Sequence, residues 1–557
     1  METSAVNRTA LRAAELGLAA LLLHVVLIQP NHPAAMTWAA LSVLSLEWII
    51  LLLALPVIGD GRIGRAFRGA LVLALTFIAV LKTADYAMFT SFARGFNPVG
   101  DMPLMAAAFR LGWGTIGLLP VIAVVIGGCL LVFALAAGLW WAMGVWAKLS
   151  LPRSARPLAG AGAAVVLGFA IADIGSVMAR WHLPINPPGT AFTARLGAER
   201  VVLIRKTLAD LQAFNALARA DPFADRADLL DRIDRDVLVI FVESYGRTSI
   251  DTPFYAEHHR PLLDAATRQL EQEGLAMRSA YLDSPTRGGQ SWLAHATFAN
   301  GMRVDGQARY QAALASGRET LFHIAARSGF RTAAVMPAIT LDWPEAALMG
   351  FDTVLPAADL GYRGLPFNWV TMPDQFTLAA LDRELRQSVS DPPLFAQVAL
   401  ISSHAPWVPV PRLVPWEDLG DGTIFNEMAT SGDRPEDVWR DHDRVRDQYR
   451  MSITYALDTV VEYALRHAED PPLLIVLGDH QAAGFIALDE RSDVPVHLIG
   501  PPALLEHVAD WGWTRGMIPA EDAPILPMEA MRDLLLRAYS SAPPQGAFIS
   551  PLSLNGG

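Results

Sequence analysis

The chain has 557 residues, of which 52% are hydrophobic and only 18% charged, a composition too apolar for an ordinary soluble enzyme. Its net charge of −12 is uneven, since residues 1–180 hold 12 Lys/Arg against 7 Asp/Glu and the remainder holds 32 against 49. The acidic remainder argues against a nucleic-acid partner, and the single cysteine, Cys129, excludes a disulfide framework and a cysteine-based zinc cluster.

Five apolar stretches precede residue 180, each near the roughly 20 residues that a membrane-spanning helix needs. No charged residue occurs from Leu111 to Ala147, a length that a buried helix of a soluble protein seldom reaches. Residues 1–180 are therefore predicted to form an α-helical transmembrane bundle with five spans. The predicted spans are Leu11–Ile28, Ala35–Ile58, Ala70–Phe89, Thr115–Trp146 and Leu158–Met178.

The basic residues of the short loops indicate the orientation of this bundle. They are concentrated in alternate loops, so the positive-inside rule predicts a cytoplasmic N-terminus and an extracytoplasmic chain after Met178. We expect a multi-pass protein of the cytoplasmic (inner) membrane whose C-terminal domain is periplasmic (extracytoplasmic). The residues that set this orientation are Arg8, Arg12, Arg62, Arg65, Arg68, Lys148, Arg153 and Arg156.

Two charges fall within the third apolar stretch. Lys82 and Asp85 are three positions apart, so both can lie on one helix face and pair, which lowers the cost of burying either charge. A structural ion pair is the favoured interpretation, and a place on a substrate path is the alternative.

The pattern changes after residue 180. Residues 181–235 are predicted to form an amphipathic juxtamembrane linker, with a helix over Thr193–Ala220. In residues 236–557, apolar runs typical of buried strands alternate with helical patterns such as Tyr449–Arg466, which predicts an α/β domain with a mostly parallel central sheet. The predicted strands are Val237–Val242, Thr332–Met336, Leu394–Leu400, Leu473–Leu477 and Val494–Ile499.

Three of these strands are followed within a few residues by groups that can bind metal or move protons. Glu243 follows the first, His404 comes shortly after the third, and Asp479 with His480 follows the fourth. Open α/β sheets place their sites at the carboxyl ends of strands. Carboxylates and imidazole gathered there suit one divalent cation, Zn²⁺ or Mn²⁺.

The order of these motifs resembles the membrane-anchored, sulfatase-like phosphotransferases of the alkaline phosphatase superfamily. That group includes lipoteichoic acid synthases, phosphoglycerol transferases and phosphoethanolamine transferases. The resemblance rests on the strand ending in Glu243-Ser244, a hydroxyl residue that opens a helix after a Gly-rich turn, Ser402-Ser403-His404, and Gly478-Asp479-His480. It implies that Glu243, Asp479 and His480 bind the metal together with a Ser or Thr nucleophile.

We choose Ser291 as that nucleophile and as a fourth metal ligand. It follows Gly288-Gly289-Gln290 and opens an apolar helical run that Gly301 closes. Backbone N–H groups and the helix dipole at this end favour an attached phosphate. Thr286 is the alternative nucleophile.

The resemblance implies a two-step transfer of phosphoglycerol or phosphoethanolamine from a phospholipid donor to a glycan or lipid acceptor. Ser291 would form the covalent intermediate, and His404 would protonate the leaving oxygen or bind the phosphate. Further candidate substrate contacts are Arg287, Arg247, His295, Trp407 and Asp374.

Two other functions remain open at this point. One is a phosphodiesterase or sulfuric ester hydrolase of the same fold, and the other is a membrane scaffold or sensor with a degenerate site. Asp283-Ser-Pro-Thr-Arg287 has Asp where sulfatases carry the Cys or Ser that becomes formylglycine, which disfavours sulfate-ester hydrolysis. The lack of paired cysteines departs from the phosphoethanolamine transferases in particular.

Overall fold

The computed structural model describes residues 2–92, 94–178, 180–181, 188–387 and 391–542. The chain divides into two compact units, Met1–Leu211 and Gln212–Gly557. Residues 182–187, in the first part of the predicted linker, lie outside the described residues. The rest of that linker contains a helix at Phe192–Arg219, and the division between the two units falls within it.

The first unit is helical. Among the described residues, four helices are long and apolar enough to cross a membrane, by length and composition: Ala10–Ile28, Arg62–Ser91, Leu118–Ala147 and Ala155–Val177. The core of the unit is formed mainly where the first three of these pack against one another. In chain order, the helices are α1 (Glu2–Ile28), α2 (Leu46–Ile58), α3 (Arg62–Phe92), α4 (Met102–Ile116), α5 (Leu118–Ala147), α6 (Ala155–Val177) and α7 (Phe192–Arg219).

The prediction of five spans is therefore not confirmed. The stretch predicted as the second span, Ala35–Ile58, becomes a 13-residue helix, α2, preceded by 3₁₀ turns at Pro33–Ala35 and Trp38–Ser42. Ser45 starts this helix late, because its hydroxyl accepts a hydrogen bond from Trp48 N and caps the first turn. At 1.5 Å per residue, α2 is about 20 Å long, shorter than a hydrocarbon core of roughly 30 Å.

Lys82 and Asp85 do not pair with each other, contrary to the sequence-based interpretation. Lys82 Nζ donates to Thr193 Oγ1 at 2.8 Å and to Leu27 O at 2.9 Å. The Asp85 carboxylate pairs instead with Arg200 and accepts from Phe96 N at 2.8 Å. Both charges are fully buried, so each needs its own partners, and α7 supplies one to each, Thr193 to Lys82 and Arg200 to Asp85.

The second unit is an α/β domain. Its helices, numbered onward from the first unit, are α8 (Thr248–Asp251), α9 (Pro253–Gln272), α10 (Ser291–Asn300), α11 (Gln307–Ala315), α12 (Leu321–Arg327), α13 (Asp374–Leu381), α14 (Asn426–Ala429), α15 (Pro435–Val438), α16 (His442–Arg466), α17 (Gly484–Ala487), α18 (Pro502–Glu506) and α19 (Ala530–Ala538). Its strands are β1 (Val237–Val242), β2 (Ala276–Asp283), β3 (Arg331–Met336), β4 (Thr353–Pro356), β5 (Leu394–Leu400), β6 (Leu473–Gly478), β7 (Asp493–Gly500), β8 (Thr514–Arg515) and β9 (Ile525–Pro527).

The strands form a single mixed sheet in the described part of the chain, in the order β4-β3-β5-β1-β6-β7-β2-β8, with β9 beside β2. From β4 to β6 all neighbours are parallel, whereas β6–β7, β7–β2 and β2–β8 are antiparallel. The expected mostly parallel sheet is therefore not confirmed as a description of the whole sheet. Strands β1, β5 and β6 are buried along their full length between two hydrophobic cores, which explains their uninterrupted apolar sequences.

Candidate active site

The carboxyl ends of β5, β1 and β6 lie side by side and point the same way. Val242, the last residue of β1, is in register with Leu400 of β5 and Gly478 of β6. Glu243 and Asp479 therefore leave the sheet next to each other. This edge of the sheet brings together the strand-end residues that the sequence analysis singled out.

Glu243, Asp479 and His480 form a compact group whose ligand atoms all lie within 4.8 Å of one another. His480 Nε2 is 3.2 Å from Glu243 Oε1 and 3.9 Å from Asp479 Oδ1. Backbone donors hold the Asp479 carboxylate, since Oδ1 accepts from Ser244 N at 2.8 Å and from His480 N at 2.6 Å. All three side chains are buried, so water does little to screen their charges.

Burial and mutual interaction shift the pKa of each member of this group. Burial, with the Glu243 charge, raises the pKa of Asp479 to about 7. For His480 burial acts downward, but the two carboxylates outweigh it and raise the pKa to about 9. For Glu243 burial acts upward, but the neighbouring His480 holds its pKa well below the usual range. Without a cation, the site thus holds protons that a cation would displace.

Ser291 is the first residue of α10 and lies beside this group. Its Oγ donates to Glu243 Oε2 at 3.0 Å. The preceding turn has positive φ at Gly288 (+70°), Gly289 (+137°) and Gln290 (+67°), a conformation that two glycines make inexpensive. The turn is tied to the strand end after β6 by a hydrogen bond from Gly288 N to Gln481 O at 2.8 Å, which brings the start of α10 to the acidic group.

The alternative nucleophile, Thr286, has a different environment. Its Oγ1 donates to Gly289 O at 2.6 Å and so closes the same turn. This hydrogen bond gives the hydroxyl a local structural role. The geometry therefore favours Ser291.

His404 lies in the loop after β5, and two hydrogen bonds anchor the preceding residues of that loop. Ser403 Oγ donates to Glu243 O at 2.5 Å, and Ser402 Oγ accepts from Asp374 N at 2.9 Å. The His404 ring is half-buried, with Nδ1 2.5 Å from Ala405 O. His404 contributes, after His480, to lowering the pKa of Glu243, so the imidazole lies within electrostatic reach of the acidic group.

Asp374 and Trp407, two of the candidate substrate contacts, are both buried. Asp374 Oδ1 accepts from Ile401 N at 2.7 Å and from Ser402 N at 2.9 Å, and burial raises its pKa to about 7. Trp407 Nε1 donates to Ser403 O at 2.6 Å. Both side chains therefore support the loop that carries His404, and neither offers an open surface to an acceptor.

The two candidate arginines are engaged with carboxylates. Arg247 is buried and pairs with Asp251 at 2.7 Å and with Asp493 at 3.2 Å. Arg287 pairs with Glu490 at 2.7 Å. Arg247 is thus held within the fold, whereas the Arg287 side chain is 36% exposed and pairs with an exposed carboxylate.

His295 lies one turn after Ser291 on α10, as the spacing predicts, and its ring packs on Phe241 with 4.1 Å between ring centres. Burial lowers its pKa to about 4, so the ring is neutral at neutral pH. Its Nε2 is buried and has no hydrogen-bond partner among the described residues. His295 is therefore a neutral imidazole packed behind Ser291.

The sequence analysis did not single out Gln481. Its side chain is fully buried, and neither of its amide atoms has a hydrogen-bond partner among the described residues. Gly246 makes room for it, since a Cβ there would lie 1.5 Å from Gln481 Oε1. Its position directly after Asp479-His480 is the signal that could have identified it.

The residues present fit a divalent cation. Two carboxylates and one imidazole converge, and the buried His480 Nε2 lacks a well-formed hydrogen bond within the described part of the chain. Oxygen and nitrogen donors in this combination suit zinc or manganese. The Ser291 hydroxyl adjoins the group through Glu243.

Comparison with known proteins supports the family resemblance. Residues 235–489 match the family model described as "Sulfatase". No curated protein sequence matches the chain significantly.

Among solved structures, the chain is similar to the integral membrane protein lipooligosaccharide phosphoethanolamine transferase A (EptA) from Neisseria meningitidis. The identity is 13%, the match covers 95% of this chain and 96% of the other, and the TM-score is 0.42. The lipoteichoic acid synthase LtaP from Listeria monocytogenes matches at 12% identity over 60% of this chain and 79% of its own, with a TM-score of 0.37.

Phosphoglycerol transferase GacH from Streptococcus pyogenes, in complex with sn-glycerol-1-phosphate, matches at 14% identity, 60% and 91% coverage and a TM-score of 0.34. Likenesses with TM-scores this low carry no argument about the reaction. The match to the family model does not depend on them. The match of residues 235–489 to the sulfatase family model confirms the resemblance to sulfatase-like proteins that the motifs predicted.

Proposed function

We propose that this protein is a metal-dependent phosphotransferase. It moves a phosphate-linked head group, phosphoglycerol or phosphoethanolamine, from a phospholipid to an extracytoplasmic glycan or lipid through a covalent Ser291 intermediate. The observation that carries the proposal is the 3.0 Å hydrogen bond between Ser291 Oγ, at the start of α10, and Glu243 of the buried acidic group. A hydroxyl at a helix N-terminus beside a cation site is suited to attack phosphorus and hold the phosphate that results.

Glu243, Asp479, His480 and Ser291 would hold one Mn²⁺ or Zn²⁺ ion. A bound divalent cation lowers the pKa of a hydroxyl and neutralises charge on a phosphoryl group. The roles of the protein's own residues follow from this arrangement.

In the first step, ionised Ser291 Oγ forms a bond to phosphorus, and the bond from phosphorus to the diacylglycerol oxygen breaks. The His404 imidazolium gives its proton to that leaving oxygen. In the second step His404 takes the proton of the acceptor hydroxyl, which attacks phosphorus as the bond to Ser291 Oγ breaks. Protons and charges balance over the cycle, because His404 regains in the second step the proton that it gave in the first, and Ser291 returns to its starting state.

The membrane unit supports a lipid donor, because it would keep the domain beside its substrate. Four helices are long and apolar enough to span a bilayer. The loop charges favour a cytoplasmic N-terminus and a catalytic domain outside the inner membrane. Single cysteines introduced at Arg153 or at Asp359 of a Cys129→Ser protein test this topology. The experiment measures whether each cysteine reacts with a thiol reagent that cannot cross the membrane.

The reaction is tested by reconstituting the intact protein in liposomes with labelled phosphatidylglycerol or phosphatidylethanolamine. Diacylglycerol release that requires a divalent cation and is lost in Ser291→Ala identifies the donor and its head group. Release that continues at the same rate without any acceptor, with the head group freed into water, favours the hydrolase. Bound metal without cleavage of either lipid contradicts the proposed donor.

A further inference from the structure

A second polar site lies within the first unit, at one end of the helix bundle. A cavity of about 360 Å³ opens between α1, α3 and α5, within the size range of small-ligand pockets. Arg12 lies near the start of the apolar span of α1, Ala10–Ile28, Arg68 lies early in α3, and Lys148 directly follows α5. Because α5 runs antiparallel to the other two helices, these three cations meet at the same end of the bundle.

Arg68 is the buried centre of this cavity. Only 5% of the residue is exposed, and its guanidinium lies 3.8 Å from the centre of the Trp140 ring. Gly144 permits this approach, because a Cβ there would lie 3.1 Å from Arg68 Nη1. The α5 surface is thus shaped to receive the guanidinium.

The hydrogen bonds of Arg68 are incomplete. Its Nη1 donates to Asp60 Oδ1 at 2.9 Å. Its Nε is buried and has no hydrogen-bond partner among the described residues. An arginine this well buried normally has its donors satisfied, so the unpaired Nε indicates a further acceptor.

The charges around the cavity do not cancel. Among the described residues, three cations and one carboxylate, Glu15, line it. With Asp60 counted as the partner of Arg68, one positive charge remains in excess. A phosphodiester, which carries one negative charge and accepts hydrogen bonds from arginine, matches this excess.

The surroundings favour a lipid as the source of that phosphodiester. The cavity lies at the end of helices that are apolar enough to span a bilayer, and its wall includes Trp140 and Trp141, which are 41% and 39% exposed. Tryptophan at the end of a transmembrane helix is typical of the head-group level. Basic pockets between such helices bind anionic head groups.

We infer that Arg12, Arg68 and Lys148 form a binding site for the phosphodiester of an anionic phospholipid, held at the end of the bundle where the loop cations gather. The excess positive charge would disfavour a head group that brings its own ammonium. This site is separate from the acidic group at the sheet edge and does not depend on the proposed reaction.

The test uses the full-length protein purified in a mild detergent, with lipid retention measured by native mass spectrometry. We expect phosphatidylglycerol to be retained in preference to phosphatidylcholine. Arg12→Gln with Lys148→Gln should weaken retention about 25-fold, because each Lys or Arg near an anionic head group contributes about fivefold. Both side chains are exposed, so their replacement should leave the fold intact.

The matched control is Arg153→Gln with Arg156→Gln, which removes the same charge from exposed positions outside the cavity. Control retention should equal that of the unmodified protein, and Arg68→Met should lose retention if it remains folded by circular dichroism. Equal loss in the control and the cavity variant would overturn the inference. So would equal retention of phosphatidylcholine, or thermal stabilisation by inorganic phosphate alone that matches stabilisation by phosphatidylglycerol.

Discussion

The Ser291 hydroxyl and the Glu243 carboxylate are joined by a hydrogen bond of 3.0 Å across 48 positions of sequence. Glu243 comes from the end of β1, and Ser291 begins α10 after a turn with three successive positive φ angles. A second tie, from Gly288 N to Gln481 O, fixes this turn to the strand end that supplies Asp479 and His480. The proposed nucleophile and the proposed cation site are thus held together by the fold.

We expect Ser291→Ala to reduce head-group transfer by about 10³-fold or more, because it removes the attacking oxygen. Thr286→Ala should keep most of the activity, since its hydroxyl only closes the turn to Gly289 O. Initial rates of diacylglycerol release measure both. If Thr286→Ala is the inactive variant and Ser291→Ala is active, the nucleophile has been assigned to the wrong residue.

Affinity for the divalent cation should rise with pH. In the metal-free site Asp479 has a pKa of about 7 and His480 a pKa of about 9, and both must lose their protons to bind a cation. Binding should therefore strengthen from pH 6 to pH 9 and level off above. Titration calorimetry in two buffers of different ionisation enthalpy measures the protons released, and an affinity that does not vary with pH contradicts this protonation scheme.

The stability contribution of Asp374 should fall as pH rises. Its carboxyl has a pKa raised by burial from 3.8 to about 7, so between these values the folded state binds more protons than the unfolded state, and stability is lost as pH increases through that window. The side chain of the Asp374→Asn variant cannot ionise, so this variant should not lose stability in that pH window. The melting temperature of this variant should rise relative to that of the unmodified protein between about pH 4 and pH 7. If the curves of melting temperature against pH run parallel for the two proteins, the raised pKa of Asp374 is refuted.

Arg200→Gln should destabilise the first unit by about 3 kcal/mol, because it leaves the fully buried Asp85 carboxylate without its cation. Arg205→Gln is the matched control, since Arg205 is exposed on the same helix. Its effect should stay within about 0.5 kcal/mol. Thermal unfolding in detergent compares the two, and equal melting temperatures would show that Asp85 does not depend on Arg200.

The local sequence pattern predicted a secondary-structure element correctly where the whole element lies in one environment, such as the buried core. Val237–Val242 and Leu394–Leu400 are strands with the predicted bounds because both faces of each strand are buried. The strand Ala276–Asp283 was not predicted, because polar residues such as Arg278 and Ser279 interrupt its apolar pattern. The helix α2 is shorter than the predicted span, since apolar composition alone does not reveal where a helix begins.

By itself, the sequence determined the apolar helices, the central strands and the identity of the groups that follow them, because these depend on neighbouring residues. Tertiary structure decided which of those groups meet. The strand order that sets Glu243 beside Asp479, the burial of Asp374 and Trp407, the pairing of Arg247 with Asp493, and the pairing of Asp85 with Arg200 all arise from segments distant in the chain. Contacts of that range leave no periodic trace in the sequence.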